Sequence, residues 1–353
     1  MKRIYTATGL LIFDGLLLGI TRLVPGAADF YRQWVYPVFL NTIGRLAGLF
    51  PWSMAELIIY TLILICIFWT GRGIRRWVGK YPNCLEYWKN GIKNFILAAA
   101  VFLTLFSLTE GPNYYQSSFA EQTGMTEEEY STEELVQVYQ ILTERVNALA
   151  DKVRRDENGL MTVEKDAESQ AVAAMEKLGE TYPQLAGYYP CPKQVLFSKF
   201  MSLMDITGIY TPFTVEANYN RDMVDYNKPF TMCHELSHLK GFMQEDEANF
   251  IAFLACEQAD SVEFQYSGAL LGLIYCGNEL YARDQALYRS MAEQVSGQAR
   301  ADLQANNYYW DTYEGFVAQF SQKINDVYLR VNQQDEGITS YSRVVDLIVQ
   351  HLL

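Results

Sequence analysis

The chain is 353 residues long, 50% hydrophobic and 14% aromatic, and carries a net charge of −13 at pH 7. That is enough material for one sizeable domain and an accessory part, and the acidic balance argues against nucleic acid as a partner. The charge is unevenly spread: residues 1–110 hold 11 Lys+Arg against 5 Asp+Glu, a net of +6, while the remainder holds 17 against 36, a net of −19.

The basic part reads as membrane. Residues 5–24 form a nearly continuous apolar run broken by Asp14, and residues 54–70 and 95–108 form two more. A helix crossing a bilayer needs about 20 apolar residues. The first run meets that length, and the other two need flanking residues, so three spans are predicted over about 5–24, 53–71 and 92–109 within a membrane region of residues 1–110. Lys2-Arg3 before the first run and Pro25-Gly26 after it also fit a cleaved signal peptide, but two further spans favour a retained helix. Asp14 is expected to face a neighbouring helix. The loop between the second and third spans carries Arg72, Arg75, Arg76, Lys80, Lys89 and Lys93 against one acid, Glu86. The positive-inside tendency then puts this loop and the N-terminus in the cytoplasm, with residues 111–353 outside it. Residues 34–40, rich in aromatics, suit an amphipathic helix at the membrane interface or a cover over part of the outer domain.

Residues 111–353 are mostly helical in pattern. Ser131-Thr132-Glu133-Glu134 has cap chemistry and opens a helix that closes before the turn Asp156-Glu157-Asn158-Gly159. A second helix is predicted over residues 163–178. Residues 195–197 and 210–215 are the best strand candidates. Pro212 limits the latter to a sheet edge, where Thr211, Phe213 and Val215 are candidates for pairing with an extended peptide. Beyond residue 250 come helices over 262–280, 283–298 and 310–331, with 338–353 closing the chain. Cys191, Cys233, Cys256 and Cys276 form no C-x-x-C pair, and a disulfide among them stays open.

The motif that organises the chain is His234-Glu235-Leu236-Ser237-His238. Two of only three histidines stand four apart, on one helix face, where both imidazoles can converge on a single cation. Glu235 can then reach a water on that cation without being a ligand. Gly241 can end the helix in a left-handed cap. A second helix would start near Glu245, with Glu245, Ala248, Asn249 and Ala252 on the face toward the histidines. Glu245 is therefore preferred to Glu247 as the third ligand; Glu247 reads as a solvated acid. Asn249 suits a hydrogen bond to a ligand histidine. Tyr266, Tyr341 and Arg343 are candidate oxyanion stabilisers, and His351 has no expected role. The polar residues on either side of the motif argue against its lying in a span.

The run from His234 to Phe250 resembles gluzincin-type metallopeptidases, whose third ligand is a glutamate on the helix after H-E-x-x-H. Its E-x-x-A-N-F-x-A form is similar to the ImmA/IrrE-type and Ste24/HtpX-like branches. With residues 208–218 and Ser340-Tyr341 added, most of the chain resembles a family of bacterial multi-pass membrane proteins in the same peptidase MA-type clan. The resemblance implies one Zn2+ at His234, His238 and Glu245, with Glu235 as general base. Gln244 stands where a metzincin would have a third histidine, so that branch is excluded. The expectation is a mainly α protein with a small β-sheet (α+β), N-terminal transmembrane helices and then a zincin-like metallopeptidase domain. Its partners are expected to be a peptide or protein substrate and the lipid bilayer. The rival expectation is a zinc-binding membrane sensor that lacks turnover.

Overall fold

The computed structural model describes residues 1–125, 129–331 and 341–353, leaving aside the side chains of 325, 327–331, 341 and 342. The protein is mainly helical with one small three-stranded sheet. It divides into two compact units, Met1–Gln116 with Thr211–Glu216, and Ser117–Tyr210 with Ala217–Leu353.

In the first unit, α1 (Lys2–Leu23), α2 (Met54–Val78) and α3 (Cys84–Thr109) are long and apolar enough to cross a membrane. Large side chains such as Leu16, Ile20, Ile63, Phe68 and Phe95 stand exposed on them, the pattern of helices whose surrounding solvent is hydrocarbon. α1 packs on α3. There Asp14, 3% exposed, accepts a hydrogen bond from the Thr104 hydroxyl at 3.0 Å, so this acid faces its neighbour.

The basic loop predicted between the second and third spans is mostly helix. α2 continues to Val78 and α3 begins at Cys84, and Lys80 and Asn83 turn the chain at φ 48° and 66°. The apolar run measures hydrocarbon thickness, whereas Arg and Lys beyond it remain good helix formers. Edge-to-face packing of Trp69 on Trp88 at 4.8 Å, and the Tyr87 hydroxyl on the Trp69 carbonyl at 2.9 Å, join the two helices at this end.

Residues 27–48 are helical with two π-turns, Tyr31–Val35 and Leu40–Gly44. Each π-turn widens the local spacing, which keeps Ala28, Tyr31, Tyr36, Leu40 and Ala47 on one buried side while Phe30, Trp34, Val38 and Leu46 stay exposed. In the same unit, the Glu216 carboxylate caps α2, accepting the Met54 and Ala55 N–H groups at 3.2 and 2.9 Å.

The second unit opens with α4 (Thr132–Ala150), entered through the expected capping box of Ser131 and Glu134, and α5 (Ala167–Thr181). The sheet has the order β1-β3-β2. β1 (Lys193–Val195) runs parallel to β3 (Glu216–Asn220), pairing Lys193 with Asn218 and Val195 with Asn220. β2 (Gly208–Thr211) is an edge strand. The strand predicted over 210–215 is therefore corrected. Only its first two residues lie in β2; the chain then turns, because Pro212 has no N–H to give a ladder and Val215 sits at φ 51°.

Beyond the sheet, α6 (Asn227–Leu239), α7 (Glu245–Glu257) and α8 (Val262–Arg283) pack together as the centre of the unit. α6 and α7 are buried along nearly their whole length, with Met232, Leu236, Phe250 and Ile251 fully so.

The helix predicted over 283–298 is two helices, Gln285–Ala292 and Gly297–Asp311. Asp284 and Ser296 decide the break, capping the Leu287 and Ala299 N–H groups at 2.9 and 3.3 Å. Phe316–Val331 follows, and Tyr341–Leu352, here α9, closes the unit; residues 338–340 of the predicted last helix lie outside the described residues.

Candidate metal centre

α6 delivers His234 and His238 one turn apart, then stops. Gly241 at φ 94° takes the left-handed position, its N–H bonding the His238 carbonyl at 2.8 Å and the Phe242 N–H bonding Ser237 at 3.2 Å. This tight reversal starts α7 at Glu245 itself. His234 Nε2 lies 3.0 Å from His238 Nε2 and 3.3 Å from Glu245 Oε2, and His238 Nε2 lies 3.7 Å from Glu245 Oε1. Two donors held 2.0–2.1 Å from a tetrahedral zinc ion stand roughly 3.3–3.4 Å apart. The three separations bracket that value, and among the described residues this is the one His/Cys/Asp/Glu group able to hold a metal.

Hydrogen bonds set the orientation of both rings. His238 Nδ1 donates to the Phe242 carbonyl at 2.8 Å, leaving its Nε2 lone pair for the cluster. Asn249 hydrogen-bonds the His234 ring, and its Oδ1 accepts the Tyr275 hydroxyl at 3.1 Å. Sequence reasoning found Asn249 but missed Phe242 and Tyr275. The first acts through its backbone carbonyl, and the second comes from α8 with no local motif to mark it. Replacing Asn249 with alanine is expected to weaken zinc binding by about 10–100-fold while the fold persists, measured by competition with a chromophoric chelator and by circular dichroism.

The three donors shift one another's ionisation. Burial pulls the His234 imidazole down, but the Glu245 hydrogen bond and the charges of Glu245 and Glu235 outweigh it and hold that ring above its usual range. Burial and the charge on His234 push His238 down to about 4. Burial raises Glu245, yet the His234 hydrogen bond and both imidazoles bring it down to about 2. The two ring nitrogens and the carboxylate converge within 4.8 Å of one another, a place that a divalent ion could take.

Glu235 is set apart from the ligands. It is 3% exposed, and burial pushes its carboxyl up to about 8 against the lowering effect of His234. The Tyr210 N–H of β2 hydrogen-bonds the carboxylate, and Oε2 is buried with no hydrogen-bond partner among the described residues. Gly208 makes this contact possible. A Cβ there would lie 2.4 Å from Glu235 Oε1 and 2.6 Å from Thr231 Cγ2, so only glycine lets the edge strand come so close to α6.

Other sequence candidates fall elsewhere. Glu247 is buried, not solvated, and accepts the Phe119 N–H. Tyr266 is fully buried and donates to Asp302 at 2.6 Å, so its hydroxyl is committed to a structural pair that Arg155 joins at 3.0 Å. Arg343 sits on α9, half-exposed, 3.9 Å from Asp246. The Tyr341 side chain lies outside the described residues.

Of the peptide-pairing candidates, Thr211 ends β2, while Phe213 and Val215 fall in the turn. Phe213 packs edge-on against Phe102 at 5.1 Å and stays part-exposed, while Val215 is fully buried. The four later cysteines are free thiols. His351 pairs with Glu257 at 2.6 Å, far along α7 from Glu245.

Fold and site together define a mostly helical protein with three helices able to cross a membrane and a partly buried His-His-Glu donor cluster beside a second glutamate, Glu235, whose Oε2 has no hydrogen-bond partner among the described residues. The chain belongs to the family described as Protein of unknown function (DUF3810), which matches residues 31–349. No curated protein and no solved structure matches the chain.

Proposed function

We propose that this protein is a membrane-anchored, zinc-dependent peptidase of gluzincin type, with a zincin-like catalytic domain held outside the cytoplasmic membrane. One observation supports the reading above the others. A donor triangle of zinc dimensions stands next to a buried carboxylate with an unpaired oxygen, Glu235 Oε2. A protein that merely stored or sensed zinc would need the triangle but not Glu235.

In the proposed reaction His234, His238 and Glu245 would hold the ion. When bound, zinc lowers the pKa of a coordinated water toward ~7 and polarises the scissile carbonyl. Glu235 takes the proton from the attacking water and passes it to the leaving amine. The Tyr210 N–H fixes one carboxylate oxygen, so the proton has a defined place on the other. Phe242 and Asn249 keep the two rings aimed.

The test is metal analysis of the purified full chain combined with a peptide-library digest. The expected result is one zinc per chain and cleavage that a chelator abolishes and zinc restores. A chain that binds zinc at unit stoichiometry yet cleaves nothing across the library would transfer the assignment to a non-catalytic zinc sensor.

A further inference from the structure

At one end of the first unit, the start of α1 and the second and third turns of α3 flank an open cavity of about 480 Å3 lined by Met1, Lys2, Arg3, Asn90, Lys93 and Asn94. No carboxylate lines it, and among the described residues none of its three cationic side chains has an ion-pair partner. Three like charges gathered around one concavity repel one another, so the arrangement is favoured by an anion between them. The two asparagine amides add neutral donors, and Arg3 can offer two parallel N–H groups to one planar or tetrahedral oxyanion.

The position says which anion. α1 and α3 are two of the three helices able to cross a membrane, and the cavity lies at their ends, where lipid headgroups are. The neighbouring ends of α2 and α3 carry Arg72, Arg75, Lys80 and Lys89 with the single acid Glu86, so this whole end attracts an anionic surface. The surrounding charge concentrates anionic lipid there, and the open hollow between α1 and α3 offers its phosphate three cations and two amides at once.

We propose that Lys2, Arg3 and Lys93, with Asn90 and Asn94, form a binding site for the phosphate group of an anionic membrane lipid. The site depends on α1–α3 spanning a bilayer and is independent of any peptidase activity. Free phosphate shares the chemistry, and the lipid is favoured because its acyl chains would lie along the exposed apolar sides of α1 and α3.

The experiment uses the full chain in detergent, with native mass spectrometry and titration of phosphatidylglycerol, phosphatidylcholine or inorganic phosphate. Phosphatidylglycerol is expected to saturate at one tightly held molecule per chain, with phosphatidylcholine and millimolar inorganic phosphate failing to displace it. The triple variant K2Q/R3Q/K93Q is expected to weaken that binding about fivefold for each cation removed. The variant R72Q/R75Q/K80Q, which loses the same charge at the same end but outside the cavity, is expected to weaken binding clearly less than the triple variant, because its charges act on the lipid only through screened solvent. Equal loss in both variants would show a diffuse surface charge and overturn the proposal. Displacement by inorganic phosphate, or equal retention of phosphatidylcholine, would overturn it as well.

Discussion

Glu235→Gln is expected to abolish peptide cleavage and to leave zinc binding intact. Glutamine has nearly the same shape and can keep the Tyr210 N–H contact, but it cannot take a proton at the oxygen that now stands unpaired. General-base removal alone lowers rates by about 10²–10⁴-fold, so kcat should fall by at least that much with KM little changed. Zinc content, read by elemental analysis, should stay at one ion per chain because the three ligands are untouched.

The same substitution carries a pH signature in protein stripped of metal by a chelator. Burial lifts the Glu235 carboxyl from 4.5 to about 8 in the folded chain. Its contribution to stability is therefore fully present below pH 4.5 and is lost as pH rises toward 8. The Gln variant is neutral throughout and escapes that loss. Denaturant titrations at pH 5 and pH 8 should show the variant gaining on wild type at the higher pH by on the order of a few kcal/mol. No relative change between the two pH values would mean that the carboxyl is not held in a desolvated place.

Much of this was legible in the sequence because it is local. His234, His238 and Glu245 come from two successive helices joined by a glycine-capped turn. Helical spacing and one φ-permissive residue were enough to place all three donors within 4.8 Å of one another. The three apolar helices were legible for a similar reason, since a hydrocarbon slab demands a continuous run. What the sequence hid depends on distant partners. Glu247 looks like any surface acid until Phe119, 128 residues away, supplies the N–H that it accepts in the core. Helix ends beyond the apolar runs were misplaced because Arg and Lys favour helix as well as they favour loops at a membrane surface. The strand over residues 210–215 misled for a geometric reason. Residues 210–215 are aromatic and β-branched, but Pro212 and the left-handed Val215 make the second half a turn.

Gly208→Ala is expected to inactivate the protein without touching any ligand. The new methyl would have to stand 2.4 Å from Glu235 Oε1 and 2.6 Å from Thr231 Cγ2, well inside van der Waals contact. Neither neighbour can give way easily. Thr231 and Glu235 are both on α6, buried at 6% and 3% exposure, and α6 is packed against α5, α7 and α8. The strand must therefore retreat from the helix, and the Tyr210 N–H must leave the carboxylate with it. Overpacking of this kind costs typically 1–3 kcal/mol of stability, and a shift of about 1 Å at a reacting group can cost 10²-fold in rate. The expected outcome is a chain that still binds one zinc, unfolds at a lower denaturant midpoint, and cleaves peptides at least 10²-fold more slowly. Thr231→Ala, added to Gly208→Ala, removes the second clash but not the first. The double variant should recover part of the lost stability while staying slow, because the tighter contact, with Glu235 itself, remains and is what sets the rate. Full recovery of cleavage in the double variant would show instead that the strand's distance from Thr231, and not its bond to the general base, governs the site.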